Sequence, residues 1–489
     1  MGIPVYFKHC IQDYDKICFK VSNQSVDYLF LDSNCLIHPC CQGETDESIM
    51  IENILCKIRT LYGLVNPKKG FYIAIDGPCP KPKILQQRTR RFLSSQIEKP
   101  WDTNAITPGT QFMNTLDKTI KHMIPEFQVK TWFSSSQDPG EGEHKIFDFI
   151  KHQTLDNVVV YGLDADLIML SMISDCQNIF LLRETTEYKI EHIDSEYIYL
   201  DSNKLKQQII KEIRPNVYMY DDSTLIQDYC FLCFLLGNDF VKNTPSLNLR
   251  YDGLTVIKDT YKQLCESSGG IFYLVDKKQP YLIHMDNLKQ LFKCLSDTEN
   301  SRLRNILSIR NNQEKKWKRI YHSKQDKTEV EVHKPIVFRE KEKQIFQDMT
   351  TWKQKYYLQT VYNETDTNFD KQKLETTKQT MCKTYIQSLL WTLMYYTKGC
   401  EWWDFSYDYM YAPPIQDVYE YLKANSINLQ TNKTPYTPEQ QLQMVLPISS
   451  HDLLNESFKP DVIFYPQRPQ TCFLLKRYTW EQQLYLPKI

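Results

Sequence analysis

Seven carboxylates lie where chemistry, rather than solubility, would put them. The strand-like runs "YLFLD", "FYIAID" and "VVVYGLD" stop at Asp32, Asp76 and Asp164, and Asp166 follows two residues after the last. "DPGEGEH" carries Glu141 and Glu143 around a glycine that permits tight backbone, and "LLGNDF" carries Asp239 just past an apolar run. Any one aspartate after a strand is better explained as a turn former or helix N-cap, and acid at a helix start suits the helix dipole. Three such strand ends are harder to explain that way. In open α/β sheets ligands bind outside the carboxyl ends of the strands, so these side chains are expected to converge. Carboxylates held that close repel one another, and either a solvated loop or a bound cation must offset the repulsion. An oxygen-only ligand set selects hard cations, which points to Mg²⁺, with Mn²⁺ as a substitute, and away from zinc. A group this acidic can hold two ions about 3.5–4 Å apart, the arrangement used for in-line displacement at phosphorus.

A basic stretch follows Asp76 directly. "GPCPKPKILQQRTRRF" has five cations and no acid between residues 81 and 91. On a helix beginning near Pro82, Lys83, Gln87, Arg90 and Arg91 share one face. Forked guanidiniums with an amide donor suit a phosphate, whereas a solvated basic face is the plain alternative. The lack of acids to pair with, and the nearness of Asp76, favour the phosphate.

These groups need elements to position them. Up to about residue 260, β-branched or aromatic runs alternate with helical patterns such as "ESIMIENILCKIRTLYGLV" and "TPGTQFMNTLDKTIKHMI", the latter with a Thr-Pro start. That order predicts an α/β fold with a largely parallel sheet and flanking helices. "STLIQDYCFLCFLLGND" reads as a long apolar helix ending in Gly-Asn-Asp. Residues 309–345 are charge-rich and weakly periodic, and are expected to form a linker or an exposed connection. From about 350 the chain is again helical and rich in aromatics. The expected organisation is a core over 1–260, a helical and charged connecting segment over 261–350, and a second helical region over 351–489 that completes the active-site pocket.

Composition bounds the rest. A chain of 489 residues exceeds one ordinary core. A formal net charge of −1 means that nucleic-acid binding has to be argued from a local cluster, not from the total. Fifteen cysteines after an N-terminus that does not read as a signal peptide suggest reduced thiols and a cytoplasmic location, with a nucleus not excluded. Cys230 and Cys233 form a C-x-x-C in an apolar run without a second pair at zinc spacing, so they are expected in the core. No apolar run reaches the roughly 18 residues of a membrane span.

The blocks "MGIPVYF", "LDSNCLIH", "AIDGPCPKPKILQQRTRRF", "ITPGTQFM", "PGEGEHKI", "YGLDADLIML", "LLRE" and "LLGNDF" occur in this order, followed by "GCEWWDFSYDYMYAPP" and "YTWEQQLYLP". Together they resemble the conserved blocks of the Xrn 5′→3′ exoribonucleases. The resemblance implies a nuclease core of the PIN/FEN-like type with a second conserved region packed on it. It implies processive, Mg²⁺-dependent hydrolysis of single-stranded RNA from a 5′-monophosphate end, with release of nucleoside 5′-monophosphates by a protein expected to be monomeric. It makes the seven carboxylates metal ligands, and Lys83, Gln87, Arg90 and Arg91 the 5′-phosphate pocket. It also makes His38 a stacking partner for the terminal base, facing a tryptophan of the second region; Trp403 is the choice, ahead of Trp402 and Trp391. Phe405 stands where the family has one of two paired tryptophans, and the chain stops just past the second region. The competing readings are a flap-type, structure-specific 5′ DNA nuclease, which shares an acidic α/β core, and a catalytically inactive RNA-binding scaffold. The second of these is disfavoured because all seven carboxylates are present.

Overall fold

Short apolar runs of three to six residues build the centre of the molecule. Strands β1 (Cys18–Lys20), β2 (Tyr28–Asp32), β3 (Gly70–Ala74), β4 (Lys130–Ser134), β5 (Val158–Tyr161), β6 (Ile179–Glu184) and β7 (Tyr197–Asp201) form one sheet in the order β1-β7-β6-β5-β2-β3-β4. The run β4-β3-β2-β5-β6 is parallel, and β7 and β1 close one side antiparallel. This computed structural model describes all residues except 1, 23, 98, 186–189, 191–192, 218, 324–330, 363–369, 455–470, 485 and 487–489. Two residues of the last conserved-looking block, Tyr485 and Pro487, thus lie outside the described part.

Both faces of the sheet are covered, which is why its strands read as nearly continuous apolar runs. Leu29, Leu31, Phe71, Ile73, Val159 and Tyr161 face one core, which the helices Glu47–Val65 and Gln111–Met123 cover. Phe30, Tyr72, Val158 and Val160 face the other, larger core. There they meet the helix Gly142–Lys151, whose Phe149 lies 5.9 Å from Phe30 and 4.8 Å from Tyr72, and the same core takes in the helix Asp222–Phe234 and residues of the 28-residue helix Lys371–Lys398, among them Tyr385 and Leu389. The second region therefore shares the hydrophobic core of the first. Cys230 and Cys233 are fully buried in it, as expected of core thiols. No helix of the described residues is long and apolar enough to cross a membrane.

Two local expectations are corrected. The helix Gln111–Met123 is capped by Thr110, whose hydroxyl accepts from Met113 N, rather than starting at the Thr-Pro pair upstream. The segment 309–345 is no exposed linker in its described part. The helix Glu299–Ser323 runs through it, and Arg310, with 0 % of its surface exposed, makes a forked pair with Glu342 at 2.8 and 2.7 Å. Arg339 joins Glu342 to Glu314. Four of its charges, Arg310, Glu314, Arg339 and Glu342, form a buried ion-pair network whose members satisfy one another, while Lys315, Lys316, Arg319, Glu340 and Lys341 are exposed as charge content suggests. Glu299, at the head of the same helix, accepts from the backbone N–H groups of Ile415 and Gln416 at 2.7 and 3.0 Å. It thereby caps the helix Ile415–Ala424 from a distant part of the chain.

Candidate active site

The parallel register sets the site. Asp32 closes β2 and pairs in register with Ala74 of β3, while Leu31 pairs with Tyr161 of β5. Asp76 and Asp164 follow those two strands by two and three residues, so all three side chains leave one edge of the sheet side by side. The turn-former and N-cap explanations can be tested here. Asp46, Asp201 and Asp221 each accept from backbone N–H groups of the helix that follows them. Asp164 and Glu141 occupy the N-cap positions of Ala165–Ile173 and Gly142–Lys151, yet neither side chain makes a cap hydrogen bond. Their carboxylates serve something other than their own helices.

The Gly-Glu-Gly-Glu loop brings the glutamates in. Gly142 N–H donates to Asp76 Oδ1 at 2.6 Å. A Cβ on Gly142 would stand 2.6 Å from Asp32 Oδ1, so any other residue would push the loop off the acids. Gly77 is equally constrained, because a Cβ there would collide with the carbonyl of Asp138. Oxygens of Asp32, Asp76 and Glu143 lie within 4.8 Å of one another, and so do ligand atoms of Glu141, Glu143 and His144. Buried Lys83 reaches into this group, with its Nζ 2.5 Å from Glu141 Oε2 and 2.9 Å from Asp239 Oδ2. Asp166 Oδ1 accepts from Tyr396 Oη at 2.5 Å, and Glu141 Oε1 from Tyr395 Oη at 2.9 Å.

Electrostatics divides the acids. Burial, followed by the charges of Asp76 and Asp164, pushes Asp32 well above the usual carboxylate range. Burial and Glu141 do the same to Glu143. Asp166 is raised to about 6, by burial and then by Asp239. Burial raises Glu141 to about 7 although Lys83 pulls the other way. For Asp239 burial would also raise the value, but Lys83 outweighs it and the group stays below its ordinary range. Asp32, Glu141, Glu143 and Asp166 thus stay raised in spite of Lys83, and the cleft would accept further positive charge. Asp32 Oδ1 and Asp166 Oδ2 are buried and accept no hydrogen bond. A cleft of buried carboxylates with unsatisfied oxygens, and the His144 imidazole beside Glu141 and Glu143, fits a divalent cation.

The basic helix Lys81–Ser94 forms as expected, but its face is divided. Lys83 turns into the acids. Gln87 and Arg91 are buried, and Arg91 makes two long contacts of 3.4 Å to Asn104 Oδ1 and the Ile106 carbonyl. Arg90 is exposed. His38 keeps an exposed surface, yet burial of its imidazole, and after it the charges of Arg90 and Arg91, lowers the group to about 4. Trp403 is buried, and its carbonyl accepts from Lys81 N at 2.8 Å, tying the start of the basic helix to the second region. That contact involves the backbone and does not bring its ring to His38. Trp391 is packed within the core, stacked on Tyr395 at 4.9 Å and on Phe405 at 5.9 Å.

Three contributors escaped the sequence reading. Tyr395 and Tyr396 sit in an apolar helix that reads as core, and only the pairing of two hydroxyls in "LMYYTKG" hints otherwise. Arg183, nearly fully buried at the end of β6, donates to the carbonyls of Gly162 and Leu163 and so fixes the loop that presents Asp164. The "LLRE" block holds it, without indicating that its target is backbone.

These features define an α/β protein whose functional cleft is a ring of carboxylates at the carboxyl edge of a mostly parallel sheet, closed by a helix from a second region. Comparison with known families is consistent with that description. Residues 1–185 match the family model described as the XRN 5′-3′ exonuclease N-terminus, and residues 219–351 and 339–487 match the Xrn1 helical domain. The chain belongs to the Xrn family of 5′-3′ exonucleases. It is 28% identical to human 5′-3′ exoribonuclease 1, over 100% of this chain and 33% of that protein. It is also 28% identical to the Saccharomyces cerevisiae 5′-3′ exoribonuclease 1, over 98% and 42%, and 24% identical to chicken 5′-3′ exoribonuclease 2, over 100% and 68%. The chain thus spans between a third and a half of the exoribonuclease 1 relatives it matches. Among solved structures it is similar to the catalytic core of Rad2 in complex with DNA substrate, with TM-score 0.36, 13% identity, and coverage of 63% of this chain and 80% of that one. At that level the strand order, and not the likeness, defines the fold.

Proposed function

We propose that this protein is a processive, Mg²⁺-dependent 5′→3′ exoribonuclease that hydrolyses single-stranded RNA carrying a 5′-monophosphate and releases nucleoside 5′-monophosphates. The observation that carries the reading is that oxygens of Asp32, Asp76 and Glu143 lie within 4.8 Å of one another, with Glu141 beside Glu143 and Asp239 tied in through Lys83. Asp32, Asp76, Glu141, Glu143, Asp164, Asp166 and Asp239 would hold two divalent ions, and Mn²⁺ would substitute for Mg²⁺. Bound there, the ions supply charge neutralisation and Lewis acidity at the phosphodiester.

The remaining roles belong to the chain itself. Gln87, Arg90 and Arg91 bind the 5′-phosphate with an amide and two guanidiniums, and Lys83 links that pocket to the acids. A pocket sized for one phosphate excludes triphosphate and capped ends. His38, with its exposed surface, offers a face on which the terminal base stacks at about 1–3 kcal/mol. Trp403 is the proposed partner from the second region, which requires its ring to turn towards the bound strand.

The test is one RNA sequence bearing 5′-phosphate, 5′-hydroxyl, 5′-triphosphate or cap, and the matching single-stranded and flap DNAs, each with Mg²⁺ and with EDTA. Mononucleotide release from 5′-phosphorylated RNA alone, abolished by EDTA, is the expected outcome. Equal cleavage of DNA flaps would favour the structure-specific DNA nuclease. Metal-independent release would refute the cleft's proposed role.

A further inference from the structure

The second region reaches the acids through two adjacent tyrosines. Consecutive helical residues diverge by about 100°, so Tyr395 and Tyr396 point to different carboxylates from one turn of helix. Tyr395 Oη donates to Glu141 Oε1 at 2.9 Å, and Tyr396 Oη donates to Asp166 Oδ1 at 2.5 Å. Neither ring is free to swing. Tyr395 lies between His144, stacked at 3.7 Å, and Trp391, stacked at 4.9 Å, with Phe240 edge-on at 5.5 Å. Tyr396 is held edge-on by Phe234 at 5.1 Å. Two hydroxyls in an otherwise apolar wall thus have fixed positions.

What each hydroxyl leaves uncovered is the telling part. With Oδ1 taken, Asp166 keeps Oδ2, a buried oxygen that accepts no hydrogen bond. Glu141 has Oε1 on the tyrosine and turns Oε2 to Lys83. A carboxylate rotating freely about its terminal torsion would present either oxygen to the cleft. One anchored by a hydroxyl presents a single oxygen in a single direction.

We infer that Tyr395 and Tyr396 are positioning residues for the proposed cation site, each anchoring one oxygen of a carboxylate: Tyr396 leaves Asp166 Oδ2 for the cation, and Tyr395 fixes the Glu141 carboxylate in the direction that Lys83 shares. The inference rests on the reading of the cleft as a divalent-cation site. It gives the second region a share in that site that needs no contact with RNA, and it explains why a helix so apolar carries this pair. Groups that orient metal ligands in this way typically change metal affinity or activity by 10- to 100-fold when removed.

Tyr395→Phe and Tyr396→Phe delete only the hydroxyls. Mn²⁺ binding to the full chain, without RNA, is followed by the electron paramagnetic resonance of the free ion. Each variant should bind Mn²⁺ about tenfold or more weakly than wild type. Tyr385→Phe is the structural control: this tyrosine is buried in the same helix, and its hydroxyl accepts and donates no hydrogen bond. It should bind Mn²⁺ as wild type does. Melting temperatures of all three show whether the fold is kept. RNA hydrolysis by the first two variants should recover in part at high Mn²⁺, which a folding defect would not allow. Wild-type Mn²⁺ affinity in both Tyr395→Phe and Tyr396→Phe would overturn the inference and leave the metal reading standing. Absence of Mn²⁺ binding by the wild type would overturn both.

Discussion

Lys83→Met should destabilise the metal-free protein. The lysine is buried, with its ammonium 2.5 Å from Glu141 and 2.9 Å from Asp239. Breaking a buried pair by removing one partner costs about 3–5 kcal/mol, because the remaining charge is left uncompensated. At roughly 2.1 cal/mol/K per residue, a 489-residue chain unfolding as one unit would lose about 3–5 °C of melting temperature. The pH dependence has a definite sign. Asp239 is held below its ordinary range because Lys83 outweighs burial, so its contribution is present above the unfolded carboxylate value and fades as pH falls through the folded one. Lys83 is raised well above its ordinary value, its acidic partners outweighing burial, so its contribution persists throughout the neutral range. The deficit of the variant should therefore be full from pH 8 down to the unfolded carboxylate value, about 4, and shrink only below it, towards pH 2. Thermal unfolding in EDTA across that range measures it. Adding millimolar Mg²⁺ should narrow the gap, since the ion supplies the missing charge. Glu141→Gln placed on the Lys83→Met background should recover part of the loss, because neighbours in one network do not add. Equal melting temperatures for Lys83→Met and wild type at pH 8 in EDTA would refute the ion pair as the element that holds the acids together.

Replacing both Asp164 and Asp166 by Asn should lower RNA hydrolysis by several orders of magnitude with the fold intact, and near-normal turnover would sink the metal assignment. RNA affinity in EDTA, by filter binding, should stay level or rise as repulsion of phosphate falls. Asp32, Glu143, Glu141 and Asp166 are all raised, chiefly by burial. Such groups contribute stability at low pH that is lost as pH rises through their folded values, about 6 for Asp166 and about 7 for Glu141. Stabilisation by Mg²⁺, read as the melting difference between Mg²⁺ and EDTA, should therefore grow from pH 5 to 8, and a constant difference would contradict it. Arg310→Leu leaves Glu342 buried without its forked partner and should cost about 3–5 kcal/mol in urea unfolding at pH 7. Glu342 is held low because Arg310 and Arg339 outweigh burial, so that cost should diminish in acid. An unchanged midpoint would place 309–345 outside the folded core after all.

The parallel sheet was legible because both its faces are covered, so β2, β3 and β5 had to be written as unbroken apolar runs. The acids at their ends were legible for the same reason: a carboxylate beside such a run has no role in packing. The basic helix was legible from spacing alone. Sequence could not say that Lys83 would leave the shared face of Gln87 and Arg91 to lie between Glu141 and Asp239, because those partners stand 58 and 156 positions away and only the fold brings them near. It misjudged 309–345, since charge content shows how many ions a segment carries but not whether Arg310 finds Glu342 in the interior or water outside. Tyr395 and Tyr396 read as core, and by burial they are core. Their hydroxyls became part of the cleft only when the helix Lys371–Lys398 packed against the helices Ala165–Ile173 and Asp222–Phe234, because a hydrogen bond depends on position in space and periodicity records only which face of a helix is apolar.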